Sequence, residues 1–167
     1  MQRDRLYPMS DVDDPIALAE QLATRWHAGQ TDKLGEPYIG HPRRVAARLT
    51  TAEQKIVALL HDVLEDTEAT REGLIAAGFP PDIIAAIDAL TRRLGETEYD
   101  YLARVCCSPL AITVKRADIA DNRDPERIAR LPDPALRHRL AQKYDRALTL
   151  LDRLACGTAE KTGRGGG

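Results

Sequence analysis

The stretch Ala58-Leu-Leu-His-Asp-Val-Leu-Glu-Asp-Thr67 places four side chains that bind metals or transfer protons within six residues of an otherwise apolar segment. In one continuous helix these side chains share a broad face, because residues three and four apart are neighbours. The apolar remainder is typical of a buried central helix. Buried carboxylates need a partner, and one divalent cation can serve several of them. The alternative is a hydrogen-bonded core histidine beside a solvated acidic stripe. The four residues are His61, Asp62, Glu65 and Asp66.

Composition indicates one helical domain. The chain has 167 residues, enough for a substantial core, and aromatic residues make up only 4% of it. Apolar residues recur at spacings of three and four, and period-two alternation is nearly absent. Without an apolar run of eighteen residues or a secretory leader, we expect no membrane span and a cytoplasmic location. The formal net charge of -2 gives no basic field for nucleic acid.

Proline starts and glycine stops predict a bundle of about eight helices. We expect a single domain over residues 11–156, with a flexible N-terminus at 1–10 and a flexible tail at 157–167. A homo-oligomer is compatible with the sequence but is not indicated by it. The predicted helices span 13–28, 42–49, 51–66, 70–77, 81–92, 97–106, 109–121 and 134–155, with a short turn at 125–130.

Two residues outside the opening stretch extend the candidate site. His41 precedes a helix-initiating proline, and Asp118 lies in an apolar stretch of a later predicted helix, where a merely solvated charge is uncommon. With His61 and Asp62 they form a set of nitrogen and oxygen donors. Such a set suits Mn²⁺, Fe²⁺, Zn²⁺ or Ni²⁺ better than Mg²⁺ or Ca²⁺.

The chemistry that this donor set predicts is hydrolysis. Four protein ligands leave an octahedral ion two positions, for a substrate oxygen and a water molecule. Glu65 and Asp66 follow the ligands by about one turn and are candidates to orient or deprotonate that water.

Three separated motifs resemble those of the HD-domain hydrolases of the Rel/SpoT type, especially the single-domain small alarmone hydrolases. The similarity runs from about Ala17 to Leu151. It also includes Lys33 and Asn122, beside the motifs. The motifs are His27-Ala-Gly-Gln30 with Gly35-Glu-Pro-Tyr-Ile-Gly-His-Pro42, Leu59-Leu-His-Asp-Val-Leu-Glu-Asp-Thr67, and Val114-Lys-Arg-Ala-Asp118.

This resemblance implies an all-α HD fold, one bound Mn²⁺ and hydrolysis of the 3′-pyrophosphate of the stringent-response alarmones guanosine tetra- and pentaphosphate (ppGpp and pppGpp). Other divalent transition metals are alternatives to Mn²⁺ as the cofactor. It implies that Lys33 and Asn122 hold the substrate phosphate and ribose. It also implies that Glu65 and Asp66 are the catalytic acids. The implied metal ligands are His41, His61, Asp62 and Asp118.

Further basic and aromatic residues are candidates for substrate binding. Arg104 and Lys115 could reach a substrate phosphate. Tyr144 could close over a base, although a tyrosine on the predicted C-terminal helix also suits the core. A solvated, ion-paired face is expected for Arg116, Arg123, Arg127 and Arg130.

Asp32 departs from the family pattern, which usually has arginine there. A carboxylate cannot stack on a nucleobase as a guanidinium does, but it can accept from an amine or a ribose hydroxyl. One alternative is therefore the same metal site acting on an adenine alarmone, the 2′-phosphate of NADPH or another nucleotide phosphoester. A second alternative is a nucleotide-binding module without catalysis.

Overall fold

The architecture is entirely helical. The computed structural model describes the backbone of residues 14–162 and side chains from 14 to 155. Within this range the one β pairing is an isolated bridge between Thr31 and Pro37. The predicted all-α class is confirmed. Residues 14–162 form ten helices, which are α1 (Pro15–Trp26), α2 (Gly40–Ala47), α3 (Ala52–Leu60), α4 (Val63–Asp66), α5 (Arg71–Ala76), α6 (Pro81–Leu90), α7 (Glu98–Cys106), α8 (Pro109–Asn122), α9 (Pro125–Arg130) and α10 (Pro134–Thr162).

Local sequence signals set where these helices begin. Thr51 caps α3 by accepting the amide of Gln54, whose side chain returns to the cap backbone in a capping box. Ser108 caps α8, and Pro109 occupies its first turn, where no amide is required. The helix starts therefore follow the pattern expected from the sequence.

The segment predicted as one helix over 51–66 is divided at His61 and Asp62. Nδ1 of His61 lies 2.7 Å from the carbonyl oxygen of Ala58, which would accept the amide of Asp62 in a continuous helix. The chain turns at this point and resumes as the short helix α4. The expectation of one shared face is therefore wrong: the histidine and the first aspartate lie at the break, and Glu65 and Asp66 lie on a separate helix.

Helix α3 is the centre of the bundle. It packs against α1, α2, α6 and α8, while α10 lies across α7 and α8. The residues from Ile56 to Leu60 are all buried, so this helix has apolar neighbours around most of its circumference. This packing agrees with the expected central helix and holds its C-terminal end, at His61, inside the molecule.

The ends of the chain extend beyond the described part. The predicted flexible segment at 1–10 lies outside the described residues. Helix α10 continues to Thr162, past the predicted helix end at 155, and the last five residues of the predicted tail also lie outside. None of the helices within residues 14–162 has the length and apolarity needed to cross a membrane.

The core can be tested with two leucines of opposite exposure. Leu102 on α7 is 1% exposed, whereas Leu94 is fully exposed. We expect Leu102→Ala to reduce the free energy of unfolding by about 2–5 kcal/mol, because it removes buried methyl groups and leaves a cavity. The matched Leu94→Ala change should stay within about 0.5 kcal/mol. Urea unfolding measures both, and equal effects would contradict the described packing.

Candidate metal centre

Donor atoms from three regions of the fold converge beside the break between α3 and α4. His41 stands on the first turn of α2, and Asp118 is on α8. Ligand atoms of His41, His61 and Asp62 all lie within 4.8 Å of one another. Oδ1 of Asp118 is 3.2 Å from Nε2 of His41 and 3.9 Å from Nε2 of His61. The structure thus brings together the four residues expected to bind a metal.

Both imidazoles are oriented through their Nδ1 atoms. Nδ1 of His61 is bonded to the carbonyl of Ala58, and Nδ1 of His41 lies 2.8 Å from Oδ2 of Asp121. An acceptor at Nδ1 favours the tautomer with its proton there, which leaves the Nε2 lone pair free. Each Nε2 faces the aspartates, so both histidines present a nitrogen suited to a cation.

The buried nitrogen of His61 supports this fit. Nε2 of His61 has no hydrogen-bond partner among the described residues. Oδ2 of Asp62 is 3.0 Å away but lacks hydrogen-bond geometry. A buried polar atom without a partner is costly, and a cation shared with the nearby oxygens would satisfy it. The donor set of two imidazoles and two carboxylates therefore fits a divalent transition metal.

The charges in this cluster favour ionised carboxylates. Burial acts to lower the pKa of His41, but Asp118, Asp121 and Asp62 raise it to about 9. Burial likewise opposes ionisation of Asp118, yet Lys115 and the two imidazoles hold the pKa of this carboxyl well below its usual range. The ionised carboxylates attract cations, and a metal binding there would displace the proton that His41 holds.

Neighbouring side chains hold the two aspartates in place. Oδ2 of Asp118 accepts from Nζ of Lys115 at 2.7 Å, and Oδ1 accepts from Nδ2 of Asn122 at 2.6 Å. The hydroxyl of Tyr38 donates to Oδ2 of Asp62 at 2.5 Å. Lys115 and Asn122, expected to bind substrate, therefore also support a candidate ligand. Their substrate roles stay predictions.

The centre opens into a cavity of about 360 Å³. Most of the predicted site residues line it. Asp66 and Arg104 are not among the lining residues. Those that do line it are Lys33, His41, His61, Asp62, Glu65, Lys115, Asp118, Asn122 and Tyr144.

The two candidate catalytic acids occupy different environments on α4. Oε2 of Glu65 accepts the backbone amide of Arg92 at 2.9 Å, and this side chain faces the cavity. The carbonyl of Asp66 accepts from Gln30, which also bonds to the buried ring of His27. Partial burial, with Asp62 and Glu65 nearby, raises the pKa of Asp66. Glu65 is therefore the acid that can reach a molecule in the cavity.

Arg104 does not reach the cavity, which corrects its expected contact with substrate phosphate. Its guanidinium pairs with Glu96 at 2.7 Å and donates to the carbonyls of Asp88, Ala89 and Thr91. The hydrogen bond from Arg104 lowers the pKa of Glu96 to about 2. All the guanidinium nitrogens of Arg104 donate hydrogen bonds that hold the segment between α6 and α7.

Sequence reasoning missed several residues at this site, among them Tyr38, Lys143, Asp121 and Arg127. Asp121 is 1% exposed and is held by His41 and Arg44. Its position one turn after Asp118 on α8 was the available signal, but the partner of a buried acid cannot be read from spacing. Arg127 was expected on a solvated face, yet it lines the cavity, because the turn predicted at 125–130 is the helix α9. Arg116, Arg123 and Arg130 do form ion pairs at the surface.

Asp32 is engaged by three donors. Oδ1 accepts the amides of Leu34 and Glu36 at 2.8 and 3.0 Å, and Oδ2 accepts from Nη2 of Arg127 at 2.6 Å. Burial acts to raise the pKa of Asp32, but the two amides and Arg127 outweigh it and lower the pKa. Three of the roughly four acceptor sites of this carboxylate are therefore already used within the protein.

Comparisons with known proteins show what this helical domain resembles. No family model matches the chain. It is 34% identical over 114 residues to a GTP pyrophosphokinase of Streptomyces coelicolor, covering 66% of this chain and 12% of the relative. It is 34% identical over 122 residues to guanosine-3′,5′-bis(diphosphate) 3′-pyrophosphohydrolase of Aquifex aeolicus, covering 65% of this chain and 17% of the relative. The chain thus spans less than a fifth of these curated relatives.

A solved structure covers far more of the fold. It is described as a metazoan ortholog of SpoT that hydrolyzes ppGpp and plays a role in starvation responses. The TM-score is 0.66 at 23% identity, over 87% of this chain and 96% of the other. The described domain therefore has a Rel/SpoT hydrolase-like fold, and about two thirds of the chain resembles Rel/SpoT relatives in sequence.

Asp121 provides a test of the candidate centre. We expect Asp121→Asn to weaken binding of Mn²⁺ by about ten- to a hundred-fold, because the charged acceptor that orients His41 is lost. Isothermal titration calorimetry with MnCl₂ measures this affinity. Asp152→Asn, an exposed change on α10, is the matched control and should leave the affinity unchanged. Equal affinities for both variants would contradict the role of Asp121.

Proposed function

We propose that this chain is a divalent-metal-dependent hydrolase that removes the 3′-pyrophosphate of guanosine 3′,5′-bis(diphosphate). The observation that carries the proposal is the convergence of four donor residues in a cavity that also contains Glu65 and Lys33. The name of the Aquifex aeolicus relative supplies the substrate and the bond. We also expect the cytoplasm as its compartment, with a nucleotide polyphosphate rather than nucleic acid or membrane as its partner.

The donor set also supports the choice of cofactor. His41, His61, Asp62 and Asp118 would hold the ion, and Mn²⁺ accepts this mixture of nitrogen and oxygen ligands. When bound, the ion would lower the pKa of a coordinated water and polarise the phosphoryl group. Tyr38, Lys115 and Asn122 hold the two aspartates in the orientation that binding requires.

Glu65 is assigned the proton transfer. Its Oε2 is fixed by the amide of Arg92, and Oε1 has no hydrogen bond among the described residues. This free oxygen can accept a proton from the attacking water. Attack at the phosphorus attached to O3′ breaks the P–O3′ bond. O3′ takes up a proton, so the products are GDP and pyrophosphate.

Lysine side chains supply the positive charge that binds the phosphates of the substrate. Lys33 and Lys143 both line the cavity, and neither has an ion pair within the described part of the chain. Lys115 is committed to Asp118, and Arg92 lies over the ring of Tyr101. Lys33 is therefore the strongest candidate for a phosphate contact, followed by Lys143, which lies over the ring of Tyr144.

The structure also bears on the alternatives. An adenine substrate was suggested because a free carboxylate at Asp32 could accept from an amine. Asp32 already accepts three hydrogen bonds and pairs with Arg127, so that reason is weakened. A sensor without catalysis has no need for a carboxylate at Glu65, facing the cavity beside the donor cluster.

Separating metal binding from turnover tests the assigned roles. We expect Glu65→Gln to lower kcat by about 10²–10⁴-fold without changing Mn²⁺ affinity, because it removes only the proton acceptor. His61→Ala should abolish Mn²⁺ binding along with activity. Glu53→Gln, an exposed change at the start of α3, serves as the control. Release of pyrophosphate and calorimetry give the two readouts, and full activity of Glu65→Gln would exclude its catalytic role.

Metal removal tests the reaction itself. We expect chelator-treated protein to be inactive and Mn²⁺ to restore release of GDP and pyrophosphate from guanosine 3′,5′-bis(diphosphate). Metal should also raise the thermal midpoint of unfolding, because binding only to the native state stabilises it. Chromatography of the nucleotides identifies which bond is cleaved. Activity that persists without metal, or cleavage at the 5′ end, would contradict the proposal.

A further inference from the structure

An ion pair joins the loop after α1 to α9 at the cavity wall. Nη2 of Arg127 lies 2.6 Å from Oδ2 of Asp32, and Nη1 lies 3.4 Å from Oε2 of Glu36. The two backbone amides on Oδ1 of Asp32 hold the carboxylate rigidly. Because its partner is fixed, the guanidinium of Arg127 has a defined position rather than that of a mobile surface side chain.

Exposure distinguishes Arg127 from its neighbour on the same helix. The side chain of Arg127 is 21% exposed and lines the cavity, whereas Arg130 is 55% exposed and does not line it. Both arginines pair with Glu36. They therefore make similar links between the loop and the helix, but only Arg127 lines the cavity.

The wall around Arg127 suits a flat, uncharged ring. Leu34, Ile128 and Leu131 line the same cavity, together with the aromatic ring of Tyr144. Such a surface, with a few placed hydrogen-bonding groups, is typical of a site that orients a heterocycle. The guanidinium of Arg127 is the polar group that this wall carries from α9.

Charge balance distinguishes Arg127 from the two lysines, although Lys143 lies over the ring of Tyr144 on the same wall. Asp32 and Glu36 offset the charges of Arg127 and Arg130, so the cluster is formally neutral. Lys33 and Lys143 have no such acidic partners within the described residues. A phosphate would therefore favour the lysines. A neutral ring can bind Arg127 while the guanidinium keeps its contact with Asp32.

From this geometry we infer that Arg127, oriented by Asp32, determines base specificity and selects guanine. The inference rests on the proposed function, since it assigns the nucleobase end of the same substrate. Guanine offers O6 and N7 as two adjacent acceptors to an arginine, whereas adenine places an amino donor where guanine has O6. Arg127 acts on binding and takes no part in bond cleavage.

Equilibrium binding to Glu65→Gln protein tests this assignment, because turnover then does not intervene. The probes are the 3′,5′-bis(diphosphates) of guanosine and adenosine, with Mn²⁺ present. We expect Arg127→Ala, added to this protein, to weaken binding of the guanosine probe by about ten- to a hundred-fold and to change binding of the adenosine probe by less than about threefold. Arg127→Lys should lose most of the guanine preference because it lacks a planar pair of donors.

Two further variants separate recognition of the base from stabilisation of the loop after α1. Asp32→Asn keeps an oxygen for the amides of Leu34 and Glu36 but removes the charge that holds Arg127, so it should also reduce the preference for guanine. Arg130→Ala removes an ion pair from the same loop and should leave the preference intact. Circular dichroism and thermal unfolding verify that each variant is folded.

The outcomes distinguish this inference from the proposed function. If Arg127→Ala weakens both probes equally, or if Arg130→Ala has the same effect, the inference is overturned and the contact is structural. If the unmodified protein fails to hydrolyse the guanosine probe, yet Arg127→Ala still removes a preference for it, the proposed hydrolysis fails and the inference stands.

Discussion

The buried carboxylate of Asp118 is the group on which the arrangement of the site depends. It is 6% exposed and meets His41, Lys115 and Asn122 at the packed junction of α2, α3 and α8. A buried charge is tolerated only when its charged and hydrogen-bonding partners are placed accurately. The same packing that buries α3 thus fixes the two histidines relative to this oxygen, which gives the fold a direct role in the proposed metal binding.

The lining of the cavity includes two clusters with different electrostatics. In one, carboxylates and imidazoles create a site that favours a cation. In the other, Arg127 is balanced by Asp32, and apolar residues of α9 and α10 line the same cavity. A nucleotide polyphosphate has the same division, with a charged phosphate group and a neutral base. The match supports a single substrate orientation within the proposed function.

The convergence of histidines and aspartates could be predicted because their motifs are local and each lies on or beside a strongly patterned helix. The break at His61 could not, since it depends on an imidazole occupying a backbone acceptor. The positions of Arg104 and Arg127 also differ from those expected, for a related reason. Arg127 lines the cavity and Arg104 does not. Either arginine can bind a phosphate or a carboxylate. Only the fold determines that Arg104 pairs with Glu96 and that Arg127 pairs with Asp32 at the cavity.

The bonds of Arg104 also connect α7 to the proposed chemistry. This side chain holds the carbonyl of Thr91, and the next residue, Arg92, uses its amide to hold Glu65. The orientation of the acid is therefore coupled to a helix that contributes no donor to the metal centre. If Glu65 transfers the proton as proposed, a change on α7 would alter the geometry of that step without touching the nucleotide. The proposed catalytic acid therefore depends on the packing at that side of the bundle.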